Sequence, residues 1–214
     1  LRECIEDTPD SARLERKFIL TKGQCILAES LLKSIGFKRL YENRAVSSIY
    51  FDDAEYNCLR ANIDGSPSRD KIRFRTYNED YVTSVIETKH KRGDVGYKSI
   101  YKLDDIAQNQ DHLVRLGKSW CNKNLLDVLE PASKVDYVRS YFIRDKFRAT
   151  VDYKIRSSRL VHNKSITSAM YDYSVIEFKY TVDLDELFRT IYPIFSDIAL
   201  RNTKNSKYSN SLIY

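Results

Sequence analysis

The fold is decided by the alternation in Lys71-Ile72-Arg73-Phe74-Arg75-Thr76-Tyr77. Successive side chains of a β-strand point to opposite faces, so the cations of this segment share one face and its apolar residues share the other. A second segment, Val85-Ile86-Glu87-Thr88-Lys89-His90-Lys91, repeats the pattern with its charged residues again spaced by two. The two segments therefore predict strands that carry one apolar face and one strongly charged face.

The same period of two recurs along most of the chain. It predicts strands near residues 13–20, 46–52, 70–77, 82–91, 97–102, 135–143, 147–155 and 173–180. Helical patterns lie between them, near residues 23–35, 54–62, 104–129 and 184–192, and they do not form a βαβ repeat. We therefore predict an α+β fold, a closed antiparallel β-barrel of about eight strands with helices packed on its outside.

The charged faces indicate what such a barrel contains. For any single strand, a solvated outer face is the more common interpretation. Many strands that each present Arg or Lys are better explained by one shared lumen, in which a polyanion satisfies the charges. Arg offers planar forks to phosphate oxygens and Lys offers point charges, so the mixture suits a ligand with several phosphates. Carboxylates on the same faces would hold a hard cation through oxygen, and we predict Glu177, Glu15 and Glu87 as its ligands.

Composition limits the class of protein. With 214 residues, 42% of them hydrophobic, the chain is long enough for one domain with a real core, and we predict a single domain over residues 1–214. Four cysteines without CxxC spacing argue against a zinc site or a disulfide framework and favour a cytoplasmic location. No apolar run is long enough to predict a transmembrane segment. The net charge of +6 fits an anionic partner, but a sequence-specific nucleic-acid binder is disfavoured because no helix-turn-helix, zinc-finger or RNP-type pattern is present.

Eight short motifs follow one another in the order found in a known family. The sequence resembles the catalytic domain of the vacuolar transporter chaperone (VTC) complex, a polyphosphate polymerase of the triphosphate tunnel metalloenzyme, or CYTH-like, superfamily. Each motif is weak alone, and the order of all eight carries the resemblance. The motifs are Leu14-Glu15-Arg16-Lys17-Phe18, Ser48-Ile49-Tyr50-Phe51-Asp52, Lys71-Ile72-Arg73-Phe74-Arg75, Glu87-Thr88-Lys89-His90 with Gly96-Tyr97-Lys98-Ser99, Tyr137-Val138-Arg139, Phe147-Arg148-Ala149-Thr150-Val151-Asp152, Glu177-Phe178-Lys179 and Lys204-Asn205-Ser206-Lys207-Tyr208.

The resemblance implies an activity and a role for each matching residue. The implied reaction moves the γ-phosphoryl group of ATP onto a polyphosphate chain, with Mn²⁺ or Mg²⁺ as cofactor and with ATP, pyrophosphate or polyphosphate as ligands. Glu177 is the implied metal ligand. The implied catalytic residues are Lys17, Arg73, Arg75, Arg139 and Arg148. The implied substrate-binding residues are Lys89, Lys98, Tyr137, Lys179, Lys204, Ser206 and Lys207.

One departure separates two branches of the superfamily. Its hydrolytic members carry paired glutamates in an ExExK motif on the first strand, whereas here Arg13 stands two residues before Glu15. That difference favours the polymerase branch. Two alternatives stay open at this point: a triphosphatase or nucleoside triphosphatase that uses the same tunnel, and a non-catalytic module that binds polyphosphate or another phosphorylated polymer.

Overall fold

A computed structural model describes residues 5–6, 13–92, 95–103, 105–124, 126, 128–162, 164–198, 203 and 205–213. Its centre is one ten-stranded sheet in which all paired strands are antiparallel. The eight predicted strands and the α+β class are confirmed. The strands are β1 (Ile5–Glu6), β2 (Arg13–Leu20), β3 (Lys38–Asp52), β4 (Ser68–Tyr77), β5 (Asp80–Arg92), β6 (Val95–Lys102), β7 (Glu130–Arg144), β8 (Phe147–Val161), β9 (Lys164–Met170) and β10 (Ser174–Thr181).

Five α-helices accompany the sheet in the described residues. The first begins at a capping box, in which Thr21 and Gln24 each accept a hydrogen bond from the backbone N–H of the other. Two 3₁₀ segments, Val182–Leu184 and Tyr192–Ile198, flank the fourth helix. The helices are α1 (Lys22–Ser34), α2 (Asn57–Ile63), α3 (Gln110–Lys123), α4 (Asp185–Ile191) and α5 (Lys207–Ile213). No helix in these parts of the chain is long and apolar enough to cross a membrane.

The predicted closure of the barrel by backbone hydrogen bonds is wrong. The strand order is β1-β6-β5-β4-β3-β7-β8-β10-β2, with β9 paired to β8, and within the described ranges its two ends do not pair. In the described ranges, the edge strand β1 presents two residues, Ile5 and Glu6, and their ladder is with β6 and not with β2. The sheet nevertheless curls: Lys89 Nζ of β5 lies 2.9 Å from Glu15 Oε2 of β2, although five strands separate them in the sheet order.

Apolar side chains divide between the two surfaces of this curled sheet. On the outer surface, α1 and α4 pack around Phe18 and Phe178, and α3 packs on Phe51 and Phe74. A third cluster joins Tyr208 of α5 to apolar residues of β3, β7, β8 and β10, among them Tyr50, Val135, Tyr137, Ile155 and Val175. Helices α1, α3 and α4 therefore cover the outside of the sheet, whereas α5 packs against its inner surface.

The close packing of α3 gives a test of the outer core. Gly117 faces the sheet so closely that a Cβ atom would lie 3.0 Å from Phe51 Cζ and 3.0 Å from Phe74 Cζ. Both rings are fully packed, so we expect Gly117→Val to lower the free energy of unfolding by about 2 kcal/mol, as overpacking does. Chemical denaturation measures the change. Gly23→Ala is the control, because no atom lies within 4 Å of its added Cβ and the helix favours Ala; equal losses in both variants would contradict this packing.

Candidate functional site

Charged side chains from seven strands and from α5 lie on the inner face of the curled sheet. The strand register fixes this arrangement, since directly paired residues point to the same face: Arg73 pairs with Glu87, and Lys179 pairs with both Glu15 and Arg148. We call this set of residues the basic lumen. Its described members are ten cations, Lys17, Lys71, Arg73, Arg75, Lys89, Lys98, Arg139, Arg148, Lys179 and Lys207, and four carboxylates, Glu15, Glu87, Asp152 and Glu177.

Glu87 organises the first of three charge networks. Both Nε and one terminal nitrogen of Arg73 lie 2.6 Å from Glu87 Oε2, and the Arg75 guanidinium reaches the same oxygen at 3.3 Å. Lys98 Nζ lies 3.3 Å from the other oxygen. Arg73 also donates to the Tyr50 hydroxyl at 3.1 Å. A buried carboxylate thus holds two adjacent guanidinium groups in fixed positions.

Asp152 organises the second network. The Arg139 guanidinium donates two bonds to its carboxylate, from Nε at 2.5 Å and from the terminal nitrogen at 2.7 Å. Lys207, the first residue of α5, donates to the same carboxylate. Because Asp152 is 1% exposed, it neutralises two cations away from bulk water and ties the C-terminal helix to β8.

Glu15 and Glu177 form the third network, and they are the two predicted metal ligands that the structure brings together. Lys179 Nζ lies 3.1 Å from Glu15 Oε1 and 3.0 Å from Glu177 Oε1, and Lys17 Nζ lies within 3.8 Å of both carboxylates. Two convergent carboxylates suit Mg²⁺ or Mn²⁺, since such ions take their remaining ligands from phosphate and water. The third predicted ligand, Glu87, lies in its own network, and no group of three metal-ligating side chains forms in the described ranges.

Pairing keeps the carboxylates of the basic lumen ionised. Burial acts to raise the pKa of Asp152, but Arg139 and Lys207 outweigh it and lower that pKa to about 2. For Glu15, burial is likewise outweighed by Lys179 and Lys89, which lower its pKa to about 2. Arg73 and Arg75 hold the pKa of Glu87 below its usual range against the effect of burial. The basic lumen therefore keeps four negative charges at neutral pH, fewer than the number of its cationic side chains. A polyanion complements the resulting excess of positive charge.

The remaining predicted residues divide into three groups. Tyr137 accepts a hydrogen bond from Arg75 at 3.2 Å, so its hydroxyl lies inside the basic lumen. Ser206 accepts a bond from Lys71 and lies just before α5. Arg148 shares the inner face but is exposed. Lys204 lies outside the described residues.

Two members of the basic lumen, Lys71 and Asp152, were not among the predicted site residues, and neither was Tyr50, whose hydroxyl accepts a hydrogen bond from Arg73. Lys71 could have been found, because it stands two residues before Arg73 on the same strand face. The alternation also placed Asp152 on the face of Arg148, but nothing local indicated that Arg139 and Lys207 would converge on it.

Comparison with known proteins agrees with this geometry. The model of the VTC domain family matches residues 12–213 of the chain, whereas no curated protein sequence matches it. A protein from Vibrio parahaemolyticus proposed to be an adenylate cyclase shares the fold, with a TM-score of 0.57 and 13% identity over 94% of this chain and 98% of its own. The PH1012 protein of Pyrococcus horikoshii has a TM-score of 0.55 and 13% identity, over 94% of this chain and 99% of its own.

A third similar structure comes from a plant. It is HpAC1 of Hippeastrum, described as an adenylyl cyclase candidate with a dominant triphosphatase activity, and it gives a TM-score of 0.52 with 13% identity over 92% of this chain and 93% of its own. At such identities these structures establish the fold alone. The family match confirms the resemblance to the VTC domain drawn from the eight motifs, and the chain belongs to the VTC domain family, with the fold that these solved structures share.

Proposed function

We propose that this chain is a phosphotransferase that moves the γ-phosphoryl group of ATP onto a polyphosphate chain inside the basic lumen. One observation carries the proposal: ten cations on eight elements line one inner face and meet four carboxylates. A linear chain of phosphates is the ligand whose repeated charge and length match such a surface. Membership of the VTC domain family supports the same conclusion.

The arginine pair is the centre of the proposed chemistry. Glu87, Tyr50 and Ser48 hold the guanidinium groups of Arg73 and Arg75 in place, and each guanidinium keeps further N–H donors for phosphate oxygens. Phosphoryl transfer passes through a loose transition state whose negative charge is spread over the transferring oxygens. Donors that are already oriented stabilise that charge without reorganisation, so positioning replaces a covalent nucleophile.

The other residues of the basic lumen complete the proposed path. Lys17, Lys89, Lys98, Arg139, Arg148, Lys179 and Lys207 neutralise successive phosphates, and the hydroxyls of Tyr137 and Ser206 add donors. Glu15 and Glu177 are the proposed metal ligands, and a divalent ion bound there would neutralise charge on the phosphates. Glu87 is the proposed counter-ion of Arg73 and Arg75, because its carboxylate pairs with both guanidinium groups in a network separate from that of Glu15 and Glu177.

Direct product analysis tests the proposal. The purified chain is incubated with ATP and MnCl₂, and the products are separated on a gel that resolves polyphosphate. We expect a ladder of polymer that depends on the metal and disappears when a chelator is added. Absence of polymer at every metal and ATP concentration would reject the transferase assignment. Tight polyphosphate binding without turnover would instead identify a binding module.

A second candidate is hydrolysis of triphosphate in the same lumen. The observation in its favour is the fold shared with HpAC1, which is described as having a dominant triphosphatase activity. The observation against it is Arg13, where the hydrolytic branch carries the first of two glutamates. Orthophosphate release from tripolyphosphate with Mg²⁺ or Mn²⁺, measured beside the polymer assay, separates the two activities.

A further inference from the structure

Lys71 differs from most cations of the basic lumen in its partners. Within the described residues, Lys71 and Arg148 are the two cations of the basic lumen that have no carboxylate partner. Arg148 is exposed to solvent, whereas Lys71 is half-buried. Its Nζ donates to Ser206 Oγ at 3.2 Å and lies 6.0 Å from the centre of the Tyr208 ring. An ammonium group has three donors, so Ser206 satisfies only a part of its capacity.

The ionisable groups around Lys71 are almost all positive. Lys89 stands directly opposite it in the ladder of β4 and β5, Lys17 faces it from β2, and Arg69 and Arg73 flank it on its own strand. From α5 the neighbours are the Ser206 hydroxyl before the helix and the Tyr208 ring within it. Burial, with repulsion from Lys17 and Lys89, lowers the pKa of Lys71 to about 7. Without a polyanion, Lys71 therefore carries about half a charge at neutral pH.

We propose that Lys71, together with Ser206, is a further phosphate-binding residue of the basic lumen and takes up a proton from solvent when a phosphate chain binds. The inference rests on the proposed phosphate path and adds to it a residue and a pH dependence. A phosphate placed among Lys71, Lys17 and Lys89 reverses the sign of the local charge and favours the ammonium form. The ammonium donors that Ser206 leaves free then have phosphate oxygens as acceptors.

The sign of the pH dependence follows from these charges. Well below pH 7, Lys71 is already protonated in the free protein, so binding takes up no proton at this residue. Above pH 7 each binding event must protonate it, and the dissociation constant rises by up to about tenfold per pH unit until the pKa of the complex is reached. Proton uptake at Lys71 is therefore largest between pH 7 and the pKa of the complex, and it falls toward zero near pH 5.5.

Isothermal titration calorimetry with tripolyphosphate measures this uptake, using two buffers of different protonation enthalpy at pH 5.5, 7.5 and 8.5. The variants are Lys71→Arg, which stays charged throughout, and Lys71→Met, which keeps the apolar stem. Lys164→Arg, an exposed position on β9, is the control for the substitution itself. Titration of the ligand is common to all four proteins and cancels in the comparison.

At pH 7.5 we expect wild type and Lys164→Arg to take up about three quarters of a proton more than Lys71→Arg, because that is the deprotonated fraction of a lysine whose pKa is about 7. At pH 5.5, where Lys71 is charged in wild type, we expect Lys71→Met to bind about tenfold more weakly. The melting temperature of Lys71→Met should be at least that of wild type, because the substitution removes a desolvated cation that lies among other cations.

The possible outcomes separate the two proposals. Equal proton uptake by wild type and Lys71→Arg, or wild-type affinity of Lys71→Met at pH 5.5, would overturn the role of Lys71 and leave the proposed function intact. Lys71-dependent uptake without turnover of ATP would leave the role of Lys71 standing and remove the transferase. If tripolyphosphate fails to bind wild type at all, both proposals fall.

Discussion

Replacing Arg73 by alanine is expected to reduce polyphosphate synthesis at least 100-fold while leaving the protein folded. Its guanidinium is fixed by Glu87 and Tyr50, so it is already oriented before a phosphate arrives. Loss of one oriented donor to a developing negative charge typically costs 100- to 1,000-fold in kcat, or about 3–4 kcal/mol of transition-state stabilisation. The fold survives because Arg75 and Lys98 still neutralise Glu87. Initial rates from the polymer gel, with melting temperatures for both proteins, measure the two effects.

Two further variants make this result specific. Arg73→Lys keeps the charge but loses the planar fork, so its rate should fall between those of wild type and Arg73→Ala. Arg92→Ala removes an exposed arginine on the opposite face of β5, where it pairs with Asp70, and should change the rate less than twofold. If Arg73→Ala and Arg92→Ala lose the same small fraction of activity, the basic lumen is not the place where the polyphosphate chain is extended.

The largest effect on stability is expected for Asp152→Asn. The substitution keeps the shape of the side chain but removes the charge that neutralises Arg139 and Lys207, both largely buried. Breaking a buried ion pair by removing one partner leaves an uncompensated charge and costs about 3–5 kcal/mol. Urea denaturation followed by the fluorescence of Trp120 measures the free energy of unfolding. A matched control is Asp145→Asn, whose carboxylate is 83% exposed and for which we expect less than about 0.5 kcal/mol.

The ion pairs of Asp152 also predict how acid affects the stability of the fold. The folded pKa of Asp152 is lowered from its ordinary 3.8 to about 2, so the unfolded chain binds the proton first as the pH falls. Its contribution is therefore complete above about pH 5 and is lost between about pH 4 and pH 2. The difference in unfolding free energy between wild type and Asp152→Asn should shrink over that interval. A difference that stays constant down to pH 2.5 would show that the charge of Asp152 is not what stabilises the fold.

The fold was most predictable where one face of a strand is apolar. All eight predicted strands are present, but β3 begins at Lys38, eight residues before the predicted start. Residues 38–45 are mostly exposed, so neither face of this part of the strand requires apolar side chains. Their pairing with β7 also contains two irregularities in register, which interrupt the period of two. Strand β9 was missed for a similar reason, because nearly all its residues are exposed and it is held by its ladder with β8. Helix α5, with seven residues, is too short to show a helical period.

The candidate site was predictable as a set of residues but not as a set of pairs. The motifs identified most of the charged residues that the structure places on the inner face. They did not indicate that Glu87 would lie apart from Glu15 and Glu177, nor that Lys207 would reach Asp152. The contact of Lys207 with Asp152 joins residues 55 positions apart, and the separation of Glu87 from the other two glutamates depends on how strongly the sheet curls.

The sequence by itself determined which side chains share a face, because alternation along a strand is a local property of neighbouring residues. It thereby determined the α+β class, the cationic inner face and, through the order of the motifs, the family. Only the tertiary structure decided how that face is enclosed: Lys89 and Glu15, 74 positions apart, bridge strands that share no ladder. It also decided the charge of Lys71, since the pKa of a lysine depends on burial and on cations brought close by other strands.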